Sequence, residues 1–357
     1  LAIFADVTRQ VFILISATTN AINDIFVTGV LRFPHLNLFQ PKHYIEHVNL
    51  VSACPSLQRL LHLKLNISGL AQGHLRLEII MNTAKRLNIV RESQAYWRII
   101  INNPPLNLFD PWMFAELNVL MDDIEKDKDL KVVVFESGDE EFFMNHHDVV
   151  SRTIIPDQPG AAPFFNHWPT FVTRLVQSSV ISIAKVRGRA RAQGFEFALA
   201  CDMRFASKER AKFALIEVGG SSIPGGGGVE WLSALTGRSR ALEIVCGADD
   251  FDAETGERYG FVNRAVPDAE LDDFVDAFAR RMSRFEKRAL ETGKKMVNAR
   301  AGVPSEGELW TSNHILQGVD SWPEAQKAFT RLTAAGFGEV GDFELNMGER
   351  LGDEPAA

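Results

Sequence analysis

Residues Lys131-Val-Val-Val-Phe135 form a continuous apolar run of strand length. A strand that is apolar on both faces needs cover on both faces, which points to a parallel sheet layered with helices. Tyr96-Trp-Arg-Ile-Ile-Ile101 reads as another strand, stopped by Asn102-Asn-Pro-Pro105. Asp110-Pro111 reads as a helix start, an N-cap oxygen followed by proline at the first helical position. Phe114, Leu117, Leu120, Met121 and Ile124 then recur at helical spacing. Val180-Ile-Ser-Ile-Ala-Lys-Val186 is a further strand, turning at Gly188 into a helix that begins near Gly194, and Asp202 to Ala206 is a short strand. Strands alternating with helices at this spacing place the chain in the α/β class.

After about residue 268 the strand signals stop. Leu271, Phe274, Val275, Phe278 and Met282 mark an amphipathic helix, more helix follows to about Ala335, and the acidic tail after Gly341 is expected to fray. Residues 151–169 read as a loop punctuated by Pro156, Pro159, Gly160, Pro163 and Pro169. Loops of that length are often functional. Its Phe164, Phe165 and Trp168 either line an acyl-sized pocket or anchor the loop.

The net charge of −8 argues against nucleic acid as the main partner. Three widely spaced cysteines, Cys54, Cys201 and Cys246, suggest neither a disulfide framework nor a zinc site, and a reducing, cytoplasmic setting fits them. Residues 1–80 differ from the rest: they hold six of the 38 Lys/Arg, four of the 46 Asp/Glu and five of the nine histidines. The first methionine is Met81. The expectation is a native start at Met81, the upstream stretch being a processed remnant, a fusion or a gene-model extension. Val11 to Val30 is interrupted by Asn20, Asn23 and Asp24, so no spanning helix is expected there. A mitochondrial presequence stays open from the low acidic content.

The chemistry concentrates in Gly188-Arg-Ala-Arg-Ala-Gln-Gly-Phe-Glu196, Phe213-Ala-Leu-Ile-Glu217 and Ile223-Pro-Gly-Gly-Gly-Gly228. Glu196 and Glu217 each sit among small and apolar residues, where an unpaired charge is costly. Two carboxylates on one site can divide general-acid and general-base work, because burial and repulsion separate their pKa values. The plainer alternative is a salt-bridged structural glutamate. The Gly225–Gly228 run lacks the Lys-Ser/Thr of a nucleotide-binding loop and reads better as a tight helix start. His146, His147 and Asp148 are adjacent, so at most two could face one ion, and no metal is expected. Arg189 and Arg191 read as surface or interface charges, with contact to a phosphate left open.

Residues 84–340 resemble the crotonase (enoyl-CoA hydratase/isomerase) superfamily. The resemblance rests on Ile183-Ala-Lys-Val-Arg-Gly188 through Glu196, Ala200-Cys-Asp-Met-Arg204, Phe213 to Glu217, Ile223-Pro-Gly-Gly-Gly-Gly228, Leu235-Thr-Gly-Arg238, Ala241-Leu-Glu243 and Gly260-Phe-Val-Asn263. It implies a ββα spiral core over 84–267 and a C-terminal helical, oligomer-forming region over 268–357, and leaves residues 1–83 as an extension of unknown role. It also implies an acyl-CoA thioester as substrate, no further cofactor, no membrane partner, and a trimer or dimer of trimers.

The resemblance further implies a thioester enolate held by two backbone N–H groups, at the positions of His147 and Gln193. Losing one such donor typically costs roughly 100- to 1000-fold in rate. Glu196 and Glu217 would hold one water across the 2,3-double bond, and Asn145, His146, Asp148 and Gly194 would lie beside the substrate. Two departures stand out. The first loop usually reads like Phe-Ser-Ala-Gly-x-Asp but here is Phe143-Met-Asn-His-His-Asp148, and a usual glycine triplet is Ala192-Gln193-Gly194. Hydration of a 2-enoyl-CoA is the leading expectation. The alternatives are isomerisation or another enolate-stabilising reaction such as dehalogenation or decarboxylation, or a non-catalytic acyl-CoA-binding scaffold.

Overall fold

A computed structural model of the chain describes residues 85–149 and 167–353. The chain divides into two units between Ala84 and Lys85. The extension to residue 83, the Met81 start, and Phe164 and Phe165 with most of their loop lie outside the described residues.

The described strands are β1 (Leu87–Ser93), β2 (Tyr96–Ile101), β3 (Val132–Ser137), β4 (Phe142–Met144), β5 (Ile181–Val186), β6 (Arg189–Arg191), β7 (Met203–Ser207), β8 (Lys212–Ala214), β9 (Phe251–Asp252) and β10 (Arg264–Val266). The helices of the first half are α1 (Pro111–Lys126), α2 (Trp168–Gln177), α3 (Gln193–Ala200), α4 (Gly228–Thr236), α5 (Arg238–Gly247) and α6 (Ala253–Tyr259). Those of the C-terminal region are α7 (Asp268–Ser283), α8 (Lys287–Asn298), α9 (Glu306–Val319), α10 (Pro323–Ala335), α11 (Asp342–Leu345) and α12 (Met347–Asp353).

Two sheets share these strands. A six-stranded sheet runs β1-β2-β3-β5-β7-β10, parallel from β2 onward, and a four-stranded sheet runs β4-β6-β8-β9. The chain alternates between them: β3, β4 and α2, then β5, β6 and α3, then β7, β8 and α4. This is the expected ββα repeat.

The β3 strand is buried on both faces, as its apolar run requires. Val133 and Phe135 join the main core, where Phe135 meets Phe197 edge-on at 5.0 Å. Val132 and Val134 face the other way, with Ile181, Ile183 and Phe205, and α7 covers them with Leu271, Val275, Ala279 and Met282. The apolar face of α7 therefore packs on its own sheet. Helix α1 starts as expected: Asp110 Oδ1 accepts the Met113 N–H at 2.7 Å and Pro111 follows the cap.

Residues 342–353 of the tail after Gly341 do not fray. They form α11 and α12, and Phe343 and Met347 are buried with Ala192, Ala214, Ile216 and Leu332. Among the described residues no helix is long and apolar enough to cross a membrane.

The topology also fixes where chemistry can gather. Strands β4, β6 and β8 are parallel neighbours, with Met144 beside Ala190 and Arg191 beside Ala214. The segments leaving their C-terminal ends, 145–148, 192–196 and 215–217, therefore emerge side by side. Ligand sites of open parallel sheets lie at that end of the strands.

Candidate active site

Helix α3 enters the site by its N-terminus. The turn before it places Ala192 at φ 46°, ψ −119°, a left-handed conformation that favours glycine. The Ala192 N–H donates to Ala214 O at 2.8 Å, and Ala192 O accepts the Glu196 N–H at 2.9 Å to open the helix. Gly194 is required by space, since a Cβ there would lie 1.8 Å from Met144 O. Gln193 is the first residue of the helix, and an N–H at that position has no acceptor inside the helix. At the other end, the buried Arg204 guanidinium donates to the carbonyls of Ala198, Leu199 and Cys201, so a cation closes the C-terminus of this short helix.

Glu196 lies on the first turn of α3 and is 2% exposed. Its Oε1 accepts the N–H groups of Gly226 at 2.7 Å and Gly228 at 3.1 Å. Burial pushes its pKa up to about 7, against those two donors, which favour the ionised form. Glu217 follows β8 and caps a short 3-10 turn, Val218–Gly220, through its carbonyl, which accepts from Gly220 N and Ser222 N. Its residue is half-buried, but its Oε2 is closed off from solvent and has no hydrogen-bond partner among the described residues. Burial first, and the charge of Glu196 second, hold the Glu217 carboxyl well above the usual range. The two backbone donors favour the ionised form of Glu196, and the enclosure of Glu217 favours its protonated form.

The first loop is held from one side by α1's approach segment. Phe109 N–H donates to His146 O at 3.0 Å, and Asp148 N–H donates to Phe109 O at 2.8 Å. In a planar trans peptide the N–H points opposite to the C=O. With His146 O committed to Phe109, the His147 N–H is aimed to the opposite side. Asn107, at φ 50°, braces the strand beneath by donating to Phe143 O at 2.7 Å.

A cavity of about 440 Å³ joins these elements, lined at its polar end by His146, His147, Gln193, Glu196 and Glu217. Ile216, Leu316, Val319, Phe329 and Leu332 form its apolar wall. Four other expected substrate contacts lie off it. Asn145 is buried with its amide on Glu344 Oε2 at 2.8 Å, and Gly194 is pressed under Met144. Asp148 is not part of the wall. Trp168 sits in the core against Phe109 and Phe171 and donates to Gly226 O at 2.9 Å, which makes it a brace behind the glycine run.

Two further features escaped the sequence reading. Arg191 is no surface charge: it is 0% exposed and grips Asp250 through Nε at 2.9 Å and Nη2 at 2.5 Å. Arg189 is mostly covered as well, pairing with Glu141 at 2.6 Å. The second is Glu344, fully buried, which accepts from Asn145, from His146 Nε2 at 2.9 Å and from Gly338 N at 2.6 Å. The bulk of His146 is thereby accommodated: it stacks on Phe337 at 4.2 Å, and its Nδ1 lies 2.9 Å from His147 O. Helical spacing of Leu309, Leu316 and Val319 was a signal for α9, but no sequence signal says which site a helix face will wall.

The family model described as enoyl-CoA hydratase/isomerase matches residues 91–328. An (E)-benzylidenesuccinyl-CoA hydratase of Thauera aromatica is 28% identical over 244 residues, 67% of this chain and 94% of the relative. A mitochondrial enoyl-CoA hydratase of Pongo abelii is 29% identical over 241 residues, 64% of this chain and 81% of its own. A crystal structure from Streptomyces avermitilis, provisionally assigned as an enoyl-CoA hydratase, is 37% identical, with a TM-score of 0.71 over 76% of this chain and 98% of that one.

Proposed function

The chain belongs to the enoyl-CoA hydratase/isomerase family, and from that premise we propose that it adds water across the double bond of a 2-enoyl-CoA to give a 3-hydroxyacyl-CoA. Glu196, ionised, takes a proton from a water held between the two carboxyl groups, and the water oxygen bonds to the β-carbon. The π electrons move onto the thioester oxygen, where the N–H groups of His147 and Gln193 receive the developing charge. Two such donors are worth roughly 100- to 1000-fold each. Glu217 then gives its proton to the α-carbon, the enolate collapses back to the thioester, and proton exchange between the two glutamates restores the starting state.

One observation carries this division of labour. Glu196 accepts two backbone N–H groups while Glu217 Oε2 accepts none among the described residues, which supports charge on Glu196 and a proton on Glu217. Positioned proton transfer of this kind contributes about 100- to 10,000-fold. The wall of Ile216, Leu316, Val319, Phe329 and Leu332 supports an apolar acyl group. The CoA thioester is substrate, and no further cofactor enters the scheme. A cytoplasmic setting and a homotrimer or dimer of trimers complete the proposal; the free thiols of Cys201 and Cys246 support the first, and exposed Met296 and Val297 support the second.

The test is a panel of 2-enoyl- and 3-enoyl-CoA thioesters in ¹⁸O-labelled water, with products resolved by mass. Labelled 3-hydroxyacyl-CoA from a 2-enoyl substrate is the expected product. Interconversion of 2- and 3-enoyl thioesters without label would replace hydration by isomerisation, and binding without any product would leave a scaffold.

A further inference from the structure

Glu344 touches both segments that supply the oxyanion donors. Its carboxylate receives His146 Nε2 and Asn145 Nδ2, from the residues just ahead of His147. Its main-chain carbonyl receives Arg191 Nη1, two residues ahead of Gln193. Arg191 is in turn fixed by Asp250. One buried residue thus ties together two loops that are neighbours only through the ends of β4 and β6.

The ring of His146 carries the connection on to the peptide that matters. His147 O can only accept, so Nδ1 must donate to it, at 2.9 Å. Nε2 then faces Glu344 Oε1 at 2.9 Å, and one proton must lie between them. Burial opposes a charged ring, but the Glu344 carboxylate overrides it and holds the His146 pKa above its ordinary value. Phe109 fixes the carbonyl before His147 and His146 Nδ1 fixes the carbonyl after it, so the donor is held from both sides.

We propose that Glu344 is a positioning residue whose carboxylate sets the orientation of the His147 N–H through His146, while its main-chain carbonyl, which a side-chain substitution leaves in place, anchors Arg191 ahead of Gln193. The inference rests on the hydratase reading, and it adds that the C-terminal segment completes the oxyanion site. That segment also closes the cavity, since Phe337, Met347 and Leu351 line it.

The test uses the full chain with Glu344→Gln, which keeps size but removes the charge. The expected result is a kcat for crotonyl-CoA lower by about 10- to 100-fold, the scale of a misplaced catalytic group, with KM within about threefold. A second readout needs no turnover: the ultraviolet absorbance of the enolate of a bound 3-oxoacyl-CoA, expected to fall in the same variant. His146→Gln, whose amide can still reach Glu344, should retain more activity than His146→Ala, and this pair carries the test if Glu344→Gln does not fold. A folded Glu344→Gln with kcat and enolate signal within about twofold of wild type overturns the inference. Wild type that forms the enolate without hydrating overturns the hydratase reading while the enolate ratio still decides the role of Glu344. Wild type with neither signal overturns both.

Discussion

Gly226 donates its N–H to Glu196 Oε1 at 2.7 Å, and the side chain it lacks leaves the space that Glu196 Oε2 fills. A Cβ on Gly226 would lie 2.1 Å from that oxygen and 2.8 Å from Trp168 Nε1. The carboxylate end can swing away, whereas the Trp168 ring is fixed in the core. Gly226→Ala is therefore expected to cost about 2 kcal/mol of stability but about 100-fold in hydration kcat. Thermal unfolding and steady-state kinetics on one preparation check the contrast.

The proton shared by Glu196 and Glu217 sets the pH dependence. The pair must lose its first proton to create the base, with burial raising the Glu196 step to about 7, and must keep its second for the acid, which titrates higher still. Hydration kcat/KM should rise through about pH 7 and fall again on the alkaline side, the two limbs belonging to the pair as a unit. A rising limb at the ordinary carboxylate value would contradict the burial argument.

Glu217 should also burden the fold. Its folded pKa is raised above the unfolded 4.5, so as pH climbs past 4.5 the unfolded chain ionises first and stability declines until the folded pKa is passed. Glu217→Gln removes this linkage. At pH 8 the variant is expected to unfold at a higher temperature than wild type, by a gain on the order of 1 kcal/mol, and at pH 4 the difference should vanish. Calorimetry at the two values checks it.

Ala192 carries backbone strain at the turn into α3, with φ at 46°. Such conformations cost about 1–3 kcal/mol in a residue other than glycine, and glycine adopts them freely. Ala192→Gly should raise stability by about 1 kcal/mol after glycine's own entropic cost. Hydration should stay within about twofold of wild type, because the N–H proposed to receive the enolate charge belongs to Gln193.

The elements that were legible are those with local causes. The Asp110 cap and Pro111 start α1, and the Val132 to Phe135 run is a strand because only double-sided cover suits it. Glu196 and Glu217 came from composition and family resemblance, and their convergence needed the parallel register of β6 and β8. What failed was long-range. Arg191 looks like a surface charge until Asp250, 59 residues on, turns out to face it. The tail looks frayed until Glu344 meets His146, 198 residues away, and Phe343 and Met347 pack on Ile216 and Leu332. An acidic residue in a polar tail reads as solvated because nothing nearby in sequence announces a buried partner.

The central claim is that Glu196 and Glu217 act as one acid–base unit on a 2-enoyl thioester. The most direct measurement is the loss of enoyl-thioester absorbance from crotonyl-CoA with wild type, Glu196→Gln, Glu217→Gln and the double variant. Residues that act as a unit are not additive, so each single variant should be slower by about 1000-fold, within the range for positioned proton transfer, and the double variant scarcely slower than either. Turnover that survives Glu217→Gln, or a wild type inert toward 2-enoyl-CoA thioesters, would contradict the claim.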